Sequence, residues 1–232
     1  MAARRRVGVL GGMGPEATVL FMQRVIGRTE VTDDQDHVPL LVDNNPQVPS
    51  RVKAIVDGTG ADPGPVLAAM ARRLEAAGAE ALAMPCNTAH HFAPEIRGAV
   101  CIPFLDMVAL SARRLAEAGV RRVGILASPA IRITGVFEQP LAEHGVAPLY
   151  DRGEEDALAA IRAVKVRDYE PARRTLATAA AAFERAGADA LLVACTEFSI
   201  LTEAARNVLP LSTPSTCWPR RSLPSPVRPP PW

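Results

Sequence analysis

One short pattern occurs twice in this chain. Leu74-Glu75-Ala76-Ala77-Gly78-Ala79-Glu80-Ala81-Leu82 runs into Met84-Pro85-Cys86-Asn87-Thr88-Ala89-His90, and Phe183-Glu184-Arg185-Ala186-Gly187-Ala188-Asp189-Ala190-Leu191 runs into Ala194-Cys195-Thr196-Glu197-Phe198. Each copy reads as a helix end, a glycine cap, a short buried strand, and a cysteine on the turn that leaves the strand. Such a repeat constrains the chain to two similar α/β halves, each offering one thiol. A single cysteine at the end of an apolar strand is ordinarily a small core residue. Two in equivalent places change that expectation, because ligands of open α/β sheets sit beyond the carboxyl ends of the strands. The repeat therefore predicts that Cys86 and Cys195 reach one cleft from opposite sides.

Other segments fit the same plan. Val7-Gly8-Val9-Leu10 reads as a central strand, and Arg122-Val123-Gly124-Ile125-Leu126 echoes it at the start of the second half. Gly11-Gly12-Met13-Gly14 forms the loop after the first strand. Pro15 and Glu16 then start a helix running to about Arg28, since proline suits the first helical position and an acid complements the dipole. Gly12-Met13-Gly14-Pro15-Glu16-Ala17 also matches the dinucleotide pattern Gly-x-Gly-x-x-Ala. Pro15 removes one amide from the face that would hold a pyrophosphate, and the same helix start suits a small carboxylate.

A second strand, Pro39 to Asp43, leads into Asn44-Asn45-Pro46-Gln47-Val48-Pro49-Ser50-Arg51, a proline-stiffened loop that would aim Arg51 at a fixed place. Arginine's planar fork matches a carboxylate. Helices are expected over Pro63 to Ala77, Val108 to Ala118, Leu158 to Val166 and Pro171 to Ala186. Ser128, Thr134 and Gly135 are expected as polar lining near the second central strand. His90 and His91 are adjacent, and neighbouring helical positions diverge by about 100°, so a shared metal is not expected and a supporting structural role is.

Composition excludes several classes. With a formal charge of +1 over 232 residues, the chain has no electrostatic footprint for nucleic acid or an anionic membrane. No apolar run approaches the roughly 20 residues that span a bilayer, and Val7 to Leu10 is too short for a signal-peptide core, so a cytoplasmic protein is expected. Cys86, Cys101, Cys195 and Cys217 lack zinc or redox spacing.

Gly11-Gly12-Met13-Gly14-Pro15-Glu16-Ala17-Thr18, Cys86-Asn87-Thr88-Ala89-His90 and Cys195-Thr196-Glu197 together resemble the aspartate/glutamate racemase family, and within it the aspartate racemase branch, over about residues 7 to 211. Wall-synthesis glutamate racemases differ, with an acid in the first loop, where Leu10-Gly11-Gly12 stands here, and Thr-His after the second thiol. The resemblance implies two pseudo-symmetric, doubly wound parallel-sheet α/β domains with the active site between them: residues 1–107, residues 108–211, and a Pro-, Arg- and Ser-rich tail from 212 to 232. It implies a homodimer that needs no cofactor and no metal, with an acidic amino acid as substrate and Cys86 and Cys195 as the catalytic pair. It also implies a substrate-contacting arginine at Arg51 and a substrate-side lysine at Lys165.

Racemisation removes a proton from one face of Cα and returns one to the other. Two flanking thiols meet that need, one as thiolate and one as thiol. A thiol's ordinary pKa near 8.5 falls at helix starts and near cations, and helix starts are expected after both cysteines. Gly12, Met13, Asn87, Thr88, Thr196 and Glu197 complete the expected substrate site, with hydrogen-bond donors among them for the developing charge. Arg51 and Lys165 would hold the second carboxylate of aspartate or, less snugly, of glutamate. A broad-specificity racemase, a hydantoin racemase, a maleate isomerase, and a non-catalytic small-molecule or dinucleotide-binding protein remain alternatives.

From Ser212 onward prolines crowd and helical periodicity stops, which suits neither a closing strand nor a closing helix. Trp218 must be encoded by TGG and Cys217 by TGC or TGT; read one nucleotide earlier, these spell Val, Leu or Met followed by Leu. One synonymous spelling of residues 212 to 219 gives, in that frame, an aliphatic residue followed by Asp-Thr-Leu-Asp-Val-Leu-Ala, similar to the start of the family's closing helix. A frameshift near Leu211 is therefore expected, with Cys217 and Trp218 carrying no function.

Overall fold

The computed structural model describes residues 4–150, 154–199 and 211–212. Ser212, the expected start of the tail, ends a short strand and pairs with Leu192; the expectations about the rest of the tail, including Cys217 and Trp218, lie outside the described residues. The first half runs β1 (Val7–Gly11), α1 (Pro15–Arg28), β2 (Leu40–Asn44), α2 (Arg51–Ile55), α3 (Gly64–Ala76), β3 (Ala81–Ala83), a 3-10 turn (Thr88–Phe92), α4 (Ala93–Ala99) and β4 (Phe104–Leu105). The second runs α5 (Met107–Glu117), β5 (Arg122–Leu126), α6 (Pro129–Thr134), α7 (Glu138–Glu143), β6 (Ala147–Tyr150), α8 (Glu154–Lys165), α9 (Glu170–Arg185), β7 (Ala190–Val193), α10 (Thr196–Ser199) and β8 (Leu211–Ser212).

These strands build two four-stranded parallel sheets of identical order, β2-β1-β3-β4 and β6-β5-β7-β8. Every strand pair is parallel, and Val7 sits opposite both Leu40 and Ala81, as Val123 sits opposite Pro148 and Ala190. In each sheet the chain turns outward from its first strand and then returns to that strand's other side, so the order reverses between β1 and β3 and between β5 and β7. Such switch points leave a crevice beyond the strand ends.

Burial explains the strand compositions. All five residues of β1 and all four of β7 are buried, as expected for strands covered on both faces. α3 turns Leu67, Met70, Ala71 and Leu74 inward, and α9 turns Ala172, Leu176, Ala179, Ala180 and Phe183 inward. Both stripes recur at three- and four-residue spacing. Asp106 caps α5, its Oδ1 accepting the amides of Val108 at 2.9 Å and Ala109 at 3.1 Å. The apolar face of α5 then packs Val108, Ala112 and Leu115 with Val123 and Ile125 of the second half.

Three elements differ from the sequence expectations. Arg51 does not lie in an open loop but begins α2, because Ser50 acts as its cap and accepts the Lys53 amide at 3.3 Å. Thr134 and Gly135 do not line the site. Thr134 Oγ1 donates back to the Ala130 carbonyl at 2.7 Å, and Gly135, with φ of +62°, ends α6. The helix expected over Leu158 to Val166 starts earlier, at Glu154. No helix among the described residues is long and apolar enough to cross a membrane.

Candidate active site

A cavity of about 520 Å³ opens where the two switch points meet. The loops after both central strand pairs reach it: the Gly12 loop after β1, the Cys86 loop after β3, Ser128 after β5, and Ala194-Cys195 after β7; the loop of residues 46–50 after β2 and the turn after α8 complete the wall. Between them they place both thiols on one wall system, each cysteine buried with only a sliver exposed. Gly12, Met13, Arg51, Asn87, Thr88 and Lys165 line the same space. The side chains of Thr196 and Glu197 lie outside what is described, although their backbone starts α10 directly after Cys195.

The first loop is set by glycine and threonine. Gly12 has φ of +90°, and a Cβ there would stand 2.3 Å from the Asn45 carbonyl carbon, so no larger residue fits. Its amide donates to Thr18 Oγ1 at 2.9 Å, and Thr18 Oγ1 donates to the Gly14 carbonyl at 3.3 Å. With that amide occupied and Pro15 lacking one, the dinucleotide reading of this loop loses two of its phosphate donors.

Each cysteine carbonyl is held by the residue four positions on, with different chemistry. His90 Nδ1 donates to the Cys86 carbonyl at 2.8 Å, while its Nε2 accepts the Met107 amide at 3.2 Å. That pair of bonds fixes the neutral tautomer with the proton on Nδ1. Burial pushes His90 below the usual imidazole value. The 3.9 Å approach of Asp106 to Nε2 is consequently not an ion pair at neutral pH. Asp106 pairs instead with Arg97 at 2.5 Å. His91, on the next position, is exposed, so the two imidazoles face different surroundings. In the second half, Ser199 Oγ and the Ser199 amide both donate to the Cys195 carbonyl at 3.1 Å. Arg24 of α1 reaches across to the Ser199 carbonyl at 3.1 Å, tying the halves together.

The polar atoms of the wall are the most informative feature. Among the described residues, five buried side-chain nitrogen or oxygen atoms lack a hydrogen-bond partner: His37 Nδ1, Arg51 Nε, Asn87 Nδ2, Asn87 Oδ1 and Ser128 Oγ. Four of these belong to residues that line this one cavity. A buried polar group without a partner costs about 1–3 kcal/mol, and such groups gather where a ligand satisfies them. Arg51 is held in place by Nη1, which donates to the carbonyls of Pro49 at 3.0 Å and Val48 at 3.4 Å. Lys165, at the end of α8, is exposed at the rim.

Sequence reasoning missed Glu16 and Arg167 as wall residues. Arg167 Nε lies 3.9 Å from Glu16 Oε1 across the two halves. Nothing in the residue pattern signals this, because Arg167 reaches the rim only through a left-handed turn that usually carries glycine or asparagine.

A family model described as Asp/Glu/hydantoin racemase matches residues 10–217. The aspartate racemase of Picrophilus torridus is similar with a TM-score of 0.82 at 31% identity, over 91% of this chain and 89% of that one. RacX of Bacillus subtilis, a broad specificity amino-acid racemase, is 25% identical over 227 residues, covering 91% of this chain and 93% of that protein. The glutamate racemase of Francisella tularensis shares the fold, with a TM-score of 0.65 at 16% identity over 93% of this chain and 78% of that one.

Proposed function

The chain belongs to the Asp/Glu/hydantoin racemase family and is an isomerase of that family, and from this we propose that it interconverts L- and D-aspartate by proton transfer between Cys86 and Cys195. The observation that carries the reading is the meeting of both thiols, one from each half, on a single cavity whose walls hold the unpartnered Asn87, Ser128 and Arg51 atoms. At about 520 Å³ the cavity falls within the range of about 300–1,000 Å³ typical of small-molecule sites.

One thiolate takes the Cα proton and becomes a thiol. The electron pair left on Cα spreads into the adjacent carboxylate, and the thiol on the other face gives up its proton to Cα and becomes a thiolate. The enzyme ends with the protonation states of its two sulfurs exchanged, ready for the opposite enantiomer. Asn87 Nδ2, Ser128 Oγ and the Thr88 hydroxyl supply donors for the charge that develops on the carboxylate, which is the main barrier when no electron-sink cofactor takes part. Arg51 and Lys165 receive the side-chain carboxylate, Arg51 through the donors that its loop leaves unspent.

A second reading, broad specificity, is favoured by the aliphatic part of the wall, where Val48, Val52, Ile161 and Val164 face the cavity beside the cations. RacX points the same way. Racemisation of each enantiomer of aspartate, glutamate and a panel of neutral amino acids, without added cofactor, separates the two. In heavy water, solvent deuterium is expected at Cα of the inverted aspartate. Cys86→Ala and Cys195→Ala should each lower turnover by about two to four orders of magnitude while leaving the fold intact. Near-normal activity in either single variant would overturn the two-base mechanism.

A further inference from the structure

The turn that follows α8 places a third cation on the cavity. The Asp168 amide donates to the Ala163 carbonyl at 3.0 Å and the Arg167 amide to the Val164 carbonyl at 2.9 Å, which is the bonding of a glycine-type helix stop. Arg167 occupies the left-handed position, with φ of +63°, and is the sole residue other than glycine with positive φ among the described residues. A side chain held in that conformation is strained, and such outliers gather at functional sites. Ile161, Val164 and Lys165 line the cavity from one face of α8. On a continuing helix, residue 167 would lie about 200° round from Lys165 and point away. The reversal of the chain brings it back to the rim.

There its guanidinium stands 3.9 Å from the Glu16 carboxylate, both side chains line the cavity, and both are well exposed, at 81% and 48%. An exposed pair of this kind contributes little and exchanges readily. Among the described residues that line the cavity, Glu16 is the sole acid, against Arg51, Lys165 and Arg167. Since Arg51 is already half committed to the carbonyls of Pro49 and Val48, the rim cations are the ones free to follow a ligand.

Building on the racemase reading, we propose that Arg167 exchanges its ion pair with Glu16 for the side-chain carboxylate of a dicarboxylic amino acid, which makes Arg167 a specificity residue for acidic over neutral substrates. Glu16 serves as the placeholder that keeps the guanidinium over the mouth while the site is empty. The neutral isostere asparagine offers no charge to exchange and leaves the pair closed.

The test compares Arg167→Gln and Arg167→Gly with the wild type, using aspartate as substrate and calorimetric ligand and asparagine as competitor. KM and Kd for aspartate should rise about three- to fivefold in both variants, with the change falling on KM rather than kcat, while the inhibition constant of asparagine shifts by less than about 1.5-fold. A purely structural role for the turn predicts the opposite for Arg167→Gly, because glycine relaxes the backbone, raises the melting temperature and leaves aspartate affinity intact. Unchanged aspartate affinity in either variant of an active enzyme would overturn this proposal and leave the racemase reading standing. A wild type that neither binds nor racemises aspartate would overturn both. Glu16→Gln should tighten aspartate binding by a few fold, since it removes the competing carboxylate; weaker binding would overturn the exchange.

Discussion

Gly78 and Gly187, one in each half, both take left-handed backbone, with φ of +89° and +77°, and close the same helix stop. Ala79 and Ala188 donate to the carbonyls of Leu74 and Phe183, each at 3.0 Å, while the glycine amides donate to Glu75 and Glu184, each at 2.9 Å. Two residues further on, Glu80 and Asp189 donate their amides to Arg6 and Arg122 at 2.8 Å and take those residues' amides back on their carboxylates. The scaffold below the sheets has thus kept its bonds through the duplication. Above the sheets the halves part. The Cys86 carbonyl is held by an imidazole that also grips Met107, the Cys195 carbonyl by a serine whose own carbonyl is gripped by Arg24. The first half brings a loop-held arginine and an asparagine to the cavity; the second brings a helix-borne lysine and a serine. The difference teaches where each kind of residue was free to change: scaffold atoms answer to their own half, cavity atoms to a substrate with two unlike ends.

After the thiols themselves, the largest expected effect comes from the unlike cations. Arg51 is partly buried and anchored by two carbonyls, whereas Lys165 is exposed. Losing a charge-assisted contact costs about 1.5–3 kcal/mol where it is sheltered, so Arg51→Ala should lower kcat/KM for aspartate by about one to two orders of magnitude. Lys165→Ala, with its contact screened by water, should cost less than about tenfold. Steady-state kinetics on both variants measures this, and equal losses would show that the two halves grip the substrate alike.

Much of this contrast was legible in the residues. The repeated helix-Gly-strand-Cys unit located both thiols, because a glycine stop and an apolar strand are set by local backbone needs that any copy must repeat. Arg51, Asn87 and Lys165 were legible through their motifs. Arg167 was not, since its place depends on a left-handed turn made by a residue that disfavours it. The short helix α2 escaped because a single serine cap starts it, and α6 and α7 because each is only 6 residues long, too short to show periodicity.

The scaffold comparison can be pressed at its glycines. Gly8 and Gly124 hold the same place in β1 and β5, yet a Cβ on Gly124 would stand 2.4 Å from Phe183 Cγ, a ring atom, while one on Gly8 would meet the tip of Leu82 at 2.8 Å and the Cβ atoms of Ala79 and Leu74 no closer than 3.0 Å. The ring is pinned under the sheet and the leucine methyl can rotate. Overpacking of this sort costs about 1–3 kcal/mol, so Gly124→Ala should sit near the upper end and Gly8→Ala near the lower. At about 2–4 °C per kcal/mol for a chain of this size, thermal unfolding resolves the two. A larger loss for Gly8→Ala would mean that the first half is the tighter one.

The smallest effect lies in the acid clasps. Asp189 Oδ2 accepts two amides, Arg122 at 2.8 Å and Arg121 at 2.9 Å, where Glu80 Oε2 accepts only Arg6 at 2.9 Å. The Arg122 amide, then that of Arg121, holds the Asp189 carboxyl below its usual value. A carboxylate whose folded value is depressed stabilises the fold above its unfolded value, near 3.8, and that support is lost as pH falls through the lower folded value. Asp189→Asn keeps an oxygen for both amides and removes only the charge. It should therefore be slightly less stable than the wild type at neutral pH, with the gap closing once the pH drops below about 3.8. Glu80→Gln, which weakens one bond rather than two, should show a smaller gap. Chemical denaturation at neutral and acid pH measures both, and a Glu80→Gln gap as large as that of Asp189→Asn would show that the charge, not the number of amides it holds, sets the strength of the clasp.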